Sequence, residues 1–361
     1  MNRKKHPQKK QNSFLKQSLT IVCIVTCILL VLELASHLLL QDFHKVQQGR
    51  FRKGYQIDPL ITSGVFLLDE HTFWKVAPDE ESGVNSAGFR DRNAITTEKP
   101  DGAYRIICIG DSVTFGVPVH LNPPEKTFSK QLEALMDKRF GSGKVEVLNA
   151  GNPGYTSYQG LKQLKHRLLK YKPDLLIVQF AINDSSPAVG QTDKEQPTRT
   201  ETGLSLYNAL SKSALCCAIV NLFRRNPQSA APSNGEVQRV PPTDFKKNML
   251  MIMAQGKLHG FECLFIKPVR LEKGKLMTPT YHQPPRNAKA VDTLASFKNY
   301  PNDPTQLFHD ACHLTPEGHK LLAETIFNAI NEYEMLNTEA LGRPASSGIT
   351  GSFKLEFKES Q

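Results

Sequence analysis

Apolar residues fall into one long run near the start of the chain and a later series of short ones. "SLTIVCIVTCILLVLELASHLLL", Ser18 to Leu40, is long enough to cross a bilayer as one helix. From Gln41 to about Gly102 the chain is polar and irregular, and "NSAGFRD" (Asn85 to Asp91) reads as a turn into an edge element. Alternation then begins. "YRIICIG" is too uniformly apolar for a half-exposed strand and predicts a buried one. "KTFSKQLEALMDKRFG" puts Phe128, Leu132, Leu135 and Met136 on one helical face and stops at Gly141. "KVEVLNAG" predicts a second strand, and "SYQGLKQLKHRLLKYKP" an amphipathic helix stopped before Pro173. "DLLIVQFAIND" is a third strand, apolar until Asn183. An insertion from about Ser185 to Pro241 follows, with one helix expected over Leu204 to Phe223 and a polar loop to Val240. "PTDFKKNMLMIMAQGKLHG" predicts a helix capped by Gly260, and "ECLFIKP" a fourth strand. Arg270 to Pro304 is loop-rich, with one helix expected near Ala288 to Phe297. In "TPEGHKLLAETIFNAINEYE", Thr315 suits the N-cap and Pro316 the first helical position of a closing helix. Beyond Leu336 the chain is polar and Gly/Ser-rich, as in a loose tail.

Strands alternating with helices imply right-handed crossovers and a mainly parallel sheet covered on both faces. Ligands of such sheets bind outside the carboxyl ends of the strands. Three of the four strands end on glycine or polar residues there: Gly110-Asp111-Ser112, Asn149-Ala150-Gly151 and Asn183-Asp184.

Charge changes the reading of the first run. The chain carries a formal +10, but Arg3, Lys4, Lys5, Lys9, Lys10 and Lys16 all precede that run, and no acid occurs before Glu33. The rest is only mildly basic and lacks the interleaved basic and aromatic residues of a nucleic-acid surface, so no nucleic-acid partner is expected. Basic residues before an apolar span favour a cytoplasmic N-terminus. Lys45, Arg50, Arg52 and Lys53 follow the span, but long domains translocate largely regardless of such charges. A cleaved signal peptide would be shorter and end on a small-x-small site. The expected organisation is a basic cytoplasmic tail (1–17), a transmembrane anchor (18–40), a connecting extension (41–102), a catalytic domain (103–335) and a flexible tail (336–361). Seven cysteines at scattered positions suggest neither a disulfide framework nor a C-x-x-C metal site.

The strand ends supply a candidate nucleophile, Ser112, which needs a base and a group to orient that base. "HDACHLTPEGH" offers Asp310 and His313 as D-x-x-H just before the last helix. A loop there can fold the carboxylate onto one imidazole nitrogen and leave the other for Ser112. The backbone N–H groups of Ser112 and Gly151 and the side-chain amide of Asn183 are candidate donors to a developing oxyanion. His309, Asp310, His313 and His319 could also be read as metal ligands, but no short H-x-x-x-H pair is present, and no metal or cofactor is expected. G-D-S-x-x-x-G lacks the G-K-[ST] ending of a phosphate loop. Asp111 is expected to hold the turn, Asp184 to cap a loop, and His319 to pack in the interior.

The set G-D-S, N-A-G-x-P-G, N-D and D-x-x-H, in that order over about Tyr104 to Tyr333, resembles the SGNH (GDSL) hydrolase superfamily. The resemblance implies a three-layer α/β/α sandwich with a five-stranded, mainly parallel sheet. It also implies Ser112 as nucleophile, His313 as base, Asp310 as orienter, and Gly151 and Asn183 as oxyanion donors beside the Ser112 amide. One block departs: the usual G-x-N-D reads Ala181-Ile182-Asn183-Asp184 here. The upstream G-F-R-D is similar to that of membrane-anchored bacterial members. The expected activity is a serine esterase acting through an acyl-enzyme on a lipid ester or an O-acylated envelope glycan. An O-acyltransferase using the same site and a non-catalytic scaffold are the alternatives.

Overall fold

The computed structural model describes residues 8–47, 65–188, 191–196, 201–223, 237–336 and 341. The start of the expected basic tail, the polar loop over 224–236 and nearly all of the expected tail after 336 lie outside the described residues. The apolar run lies within helix α1 (Gln8–Gln47), which continues past the expected span at both ends. Its segment Leu15–Leu38 is apolar and long enough to cross a membrane.

The extension after α1 is not irregular throughout. β1 (Phe66–Asp69) and β2 (Phe73–Val76) form an antiparallel hairpin that buries Phe66, Leu68, Trp74 and Val76. Four-residue strands are too short for alternation to stand out in a sequence. Asn85–Asp91 forms the expected turn, but among the described residues no edge strand follows it before Tyr104. Asn85 Oδ1 accepts from the amides of Ala87 and Phe89, both at 3.1 Å, and the Arg90 amide donates to Asn149 O at 2.9 Å.

The main domain then runs β3 (Tyr104–Gly110), α2 (Ser112–Phe115), α3 (Phe128–Phe140), β4 (Val145–Asn149), α4 (Ser157–Gln163) and β5 (Leu175–Gln179). The insertion carries α5 (Glu201–Leu210) and α6 (Ala214–Phe223). After it come α7 (Pro242–His259), β6 (Glu262–Lys267), a small hairpin of β7 (Arg270–Glu272) and β8 (Lys275–Met277), β9 (Ala290–Asp292), α8 (Thr293–Lys298) and α9 (Pro316–Glu332). The five-stranded sheet has the order β4-β3-β5-β6-β9, and every pairing is parallel.

Alternate strand residues feed opposite layers, as the period of two requires. Ile106, Cys108, Ile177 and Leu264 pack with Phe128, Leu132 and Met136 of α3 and with Leu322, Ile326 and Ile330 of α9. Ile107, Ile109, Leu176 and Val178 pack with Leu161 of α4, with Phe245, Met249 and Ile252 of α7, and with the β1–β2 hairpin. Each such fully buried side chain contributes about 2 kcal/mol. The result is a three-layer α/β/α sandwich.

Two expected helices are corrected. Leu204 to Phe223 is not one helix, because Ser213 Oγ accepts from the Cys216 amide and starts α6 afresh, bent by 96° from α5. Ala288 to Phe297 holds the fifth strand, β9, before α8, whose first turn Asp292 caps by accepting from the Ala295 amide. β3 lies between β4 and β5, so the order of strands reverses there, and it is outside the carboxyl ends at such a point that open sheets bind their ligands.

Candidate active site

Gly110 ends β3 where a side chain has no room. A Cβ there would lie 2.7 Å from Gln179 O and 2.8 Å from Thr114 Cβ. Asp111 is the N-cap of α2 and accepts from the Val113 amide at 2.9 Å, which fits its expected role in the turn. Burial pushes its carboxyl up to about 7, against the pull of the Val113 bond and of His313. Ser112 is then the first helical residue, so its N–H has no intrahelical acceptor.

The loop before α9 brings Asp310 and His313 to this point. It is closed by the Phe308–Leu314 bridge and by the His309 amide donating to His313 O at 2.8 Å. Thr315 caps α9 by accepting from the Gly318 amide at 3.2 Å. Asp310 Oδ1 accepts from the amides of Cys312 and His313 at 2.9 and 2.8 Å, which fixes the carboxylate. Asp310 Oδ2 lies 2.6 Å from His313 Nδ1, and His313 Nε2 lies 2.8 Å from Ser112 Oγ. With Nδ1–H donating to Asp310, Nε2 is left to accept from the Ser112 hydroxyl. Burial pulls the imidazole down, but the bond to Asp310 and the neighbouring Cys312 outweigh it and push His313 up to about 10. Burial raises Asp310, yet the bonds it accepts hold it well below the ordinary carboxylate range.

The three candidate oxyanion donors stand differently. Asn183 Nδ2 donates to Tyr155 O at 3.0 Å and more weakly to Asp111 Oδ2 at 3.4 Å, so both amide hydrogens have acceptors and the second is loosely held. The Gly151 N–H donates to Asn149 Oδ1 at 3.0 Å. The missing side chain at Gly151 serves packing instead, since a Cβ would lie 2.8 Å from Thr114 C and 2.9 Å from Phe115 Cα. Ala181, where the resembling pattern has glycine, is fully buried with φ at 132°, a region L-residues rarely adopt. The backbone, more than the room for a methyl, explains the usual glycine. Asp184 Oδ2 accepts from the Ala181 amide at 3.2 Å, and Asp184 Oδ1 from the Ser157 amide and hydroxyl at 2.9 and 2.5 Å. Asp184 thus ties the Asn183 turn to the start of α4, and burial pushes its carboxyl up.

Several supports had no clear signal in the sequence. Arg90 of G-F-R-D is buried and donates to the carbonyls of Phe115 and Gly116 at 2.6 and 2.9 Å and of Asn122 at 2.5 Å. It pins the segment that follows Ser112, and burial pushes it down to about 9. Trp74 Nε1 donates to Pro153 O at 3.2 Å, and Tyr155 Oη donates to Trp74 O at 2.5 Å, so the β1–β2 hairpin braces the loop after Gly151. His319 packs in the interior. It accepts from the Phe128 amide at 3.3 Å and is pushed down to about 3 by burial and Arg90, which suits a neutral packing histidine. The four residues weighed as metal ligands do not form one cluster. Among the described residues, the donors that lie together, within 4.8 Å, are those of Asp310, Cys312 and His313.

A hydroxyl, an imidazole and a carboxylate in line at the switch point of a parallel sheet define a serine hydrolase of the α/β/α type. Residues 108–242 match the GDSL-like Lipase/Acylhydrolase family, and the chain is an ester-hydrolysing serine hydrolase. The match includes Ser112, Gly151 and Asn183 and stops before Asp310 and His313. None of the curated proteins matches the chain. Among solved structures, it is similar to a lipase/acylhydrolase from Enterococcus faecalis, at 19% identity over 64% of this chain and 96% of that one, with a TM-score of 0.40. It is similar to the acetylxylan esterase Axe2 from Geobacillus stearothermophilus, at 16% identity, 64% and 96% coverage and a TM-score of 0.42. An α/β hydrolase enzyme from the metagenome of Lake Arreo, Spain, is similar at 16% identity, 63% and 96% coverage and a TM-score of 0.41.

Proposed function

We propose that this chain is a membrane-anchored esterase in which Ser112 is the nucleophile, His313 the general base and Asp310 the group that orients it. The observation that carries this reading is the run of 2.8 Å from Ser112 Oγ to His313 Nε2 and 2.6 Å from His313 Nδ1 to Asp310 Oδ2. Ser112 Oγ attacks the ester carbonyl while Nε2 takes its proton, and Asp310 stabilises the imidazolium. The oxyanion is met by the Ser112 N–H and by the Asn183 amide hydrogen held weakly at Asp111. Gly151 joins them when its N–H turns from Asn149 Oδ1. Collapse of the tetrahedral intermediate returns the proton from Nε2 to the leaving alkoxide and leaves an acyl-Ser112. Water, deprotonated by the same imidazole, then releases the acid.

The proposed substrate is a lipid ester or an O-acylated envelope glycan. The proposed topology puts residues 1–17 in the cytoplasm, 18–40 in the membrane and the domain over 103–335 outside. Six basic residues and no acid ahead of Leu15–Leu38 support that orientation. Esters of graded acyl length and acetylated glycans, offered to the purified full chain and to Ser112→Ala, test the substrate class. Hydrolysis of one series by the native chain but not by the variant is expected. No hydrolysis of any ester by the native chain would overturn the reading.

A further inference from the structure

The insertion between β5 and α7 exposes apolar side chains that neither the sheet nor the site uses. Leu206, Leu210, Ile219 and Leu222 of α5 and α6 are exposed at 66, 41, 47 and 80%. Residues 214–223, "ALCCAIVNLF", include no charged side chain. Scattered exposed leucines need no explanation, but a group of four on one bent pair of helices does.

The pair is tied down on both sides of its bend. Asn208 bonds the backbone of Leu68 in β1 twice: its Oδ1 accepts from the amide at 2.8 Å, and its Nδ2 donates to the carbonyl at 3.0 Å. On the other side Glu33 of α1 accepts from Ser213 Oγ at 2.7 Å and from the amides of Ala214 and Leu215 at 2.6 and 3.1 Å. A carboxylate in an apolar span is costly unless paired. Here it takes up the open N–H groups at the start of α6. Glu33 precedes Leu38, the end of the apolar stretch, by about 8 Å of helix rise. The junction between α5 and α6 therefore sits near one face of the bilayer if α1 spans it. Neither helix can cross alone, since ten residues reach about 15 Å of a core about 30 Å thick. Their 96° bend prevents them from crossing together as a straight rod. Lys212 is exposed at the bend, where it can meet lipid phosphates.

We propose that α5 and α6 form a bilayer-docking surface that lies in the lipid interface beside α1 and holds the hydrolase domain against the membrane. The proposal rests on the reading of α1 as a membrane anchor. The surface is continuous with that anchor through Glu33 and with the domain through Asn208. β1, which Asn208 grips, belongs to the hairpin that braces the loop after Gly151, so the strut ends behind the candidate site.

The test uses the full chain in phosphatidylcholine–phosphatidylglycerol nanodiscs containing a diazirine-bearing phosphatidylcholine. After photolysis, labelled peptides are mapped by mass spectrometry. Leu258 and Tyr281, exposed at 72 and 79%, report background labelling of apolar surface elsewhere. Labelling of 204–223 severalfold above those controls, together with labelling of Leu15–Leu38, is expected. A Leu206→Glu, Leu222→Glu double variant should bring 204–223 down to background and leave α1 labelled. Labelling of α1 with 204–223 at background overturns the proposal and leaves the anchor standing. No labelling of α1 overturns the anchor reading, and the proposal with it.

Discussion

Replacing Gly151 by alanine keeps the backbone N–H and adds a single methyl. The new Cβ would lie 2.8 Å from Thr114 C and 2.9 Å from Phe115 Cα. Carbon atoms at rest stand about 3.5–4.0 Å apart, so one side must retreat by about 0.7 Å or more. Both obstructing atoms belong to α2, a four-residue helix that begins at Ser112. The Cys108 carbonyl accepts from the Ala150 amide at 2.8 Å, which ties the Gly151 loop to the sheet, and Arg90 and Asn149 hold the far end of α2, so the strain is passed to its start at Ser112. A shift of that size at Ser112 opens the 2.8 Å contact to His313 Nε2. Misplacement of a reacting group by about 1 Å costs on the order of a hundredfold in rate. Overpacking at a rigid backbone contact costs about 1–3 kcal/mol, and each kcal/mol lowers Tm by about 2–4 °C in a domain of this size. Gly151→Ala should therefore lose about a hundredfold in kcat/KM on a p-nitrophenyl ester and melt several degrees lower. A variant within about threefold of wild type in kcat/KM, with Tm unchanged, would refute the packing argument. If the N–H alone mattered, alanine would be harmless.

His313 must be neutral to act as a base, and its pKa lies above the ordinary 6.5. kcat/KM should accordingly rise with pH through an apparent pKa above 6.5, and Asp310→Asn should move that limb down while lowering the rate; a limb unmoved in Asp310→Asn would contradict the pairing. Asn183→Ala should lower kcat by about a hundredfold or more with less change in KM, whereas a rise in KM alone would make Asn183 a ground-state binder. Arg90→Met should destabilise the domain by about 3 kcal/mol, because the carbonyls it pins lose their donor; an unchanged thermal midpoint would show that those carbonyls find other partners.

The long uniform strands were readable because β3, β5 and β6 bury both faces, which leaves a plain apolar signature ending in polar residues. Asp310 and His313 were readable because a D-x-x-H spacing lets a single loop satisfy both side chains. β1, β2 and β9 were not, since three or four residues leave no period to count. The break at Ser211–Ser213 carries no glycine or proline, and one of the groups that hold it, the Glu33 carboxylate on α1, is 180 residues away in sequence. Gly151 drew attention for its N–H, while its tight contact with the α2 backbone depends on how two strand ends meet in space. Arg90 opens the charged run Arg90-Asp91-Arg92, which by itself reads as exposed, and only the fold shows that it is buried among carbonyls.

The central claim is that Ser112 is a nucleophile activated by His313. A fluorophosphonate probe tests it directly: Ser112 Oγ attacks phosphorus, fluoride leaves, and His313 takes the proton. Intact-mass and peptide mapping of the treated full chain should place one adduct on the Ser112 peptide, with none in Ser112→Ala and much slower labelling in a folded His313→Ala. An adduct on another residue, or labelling of His313→Ala at the wild-type rate, would contradict the account.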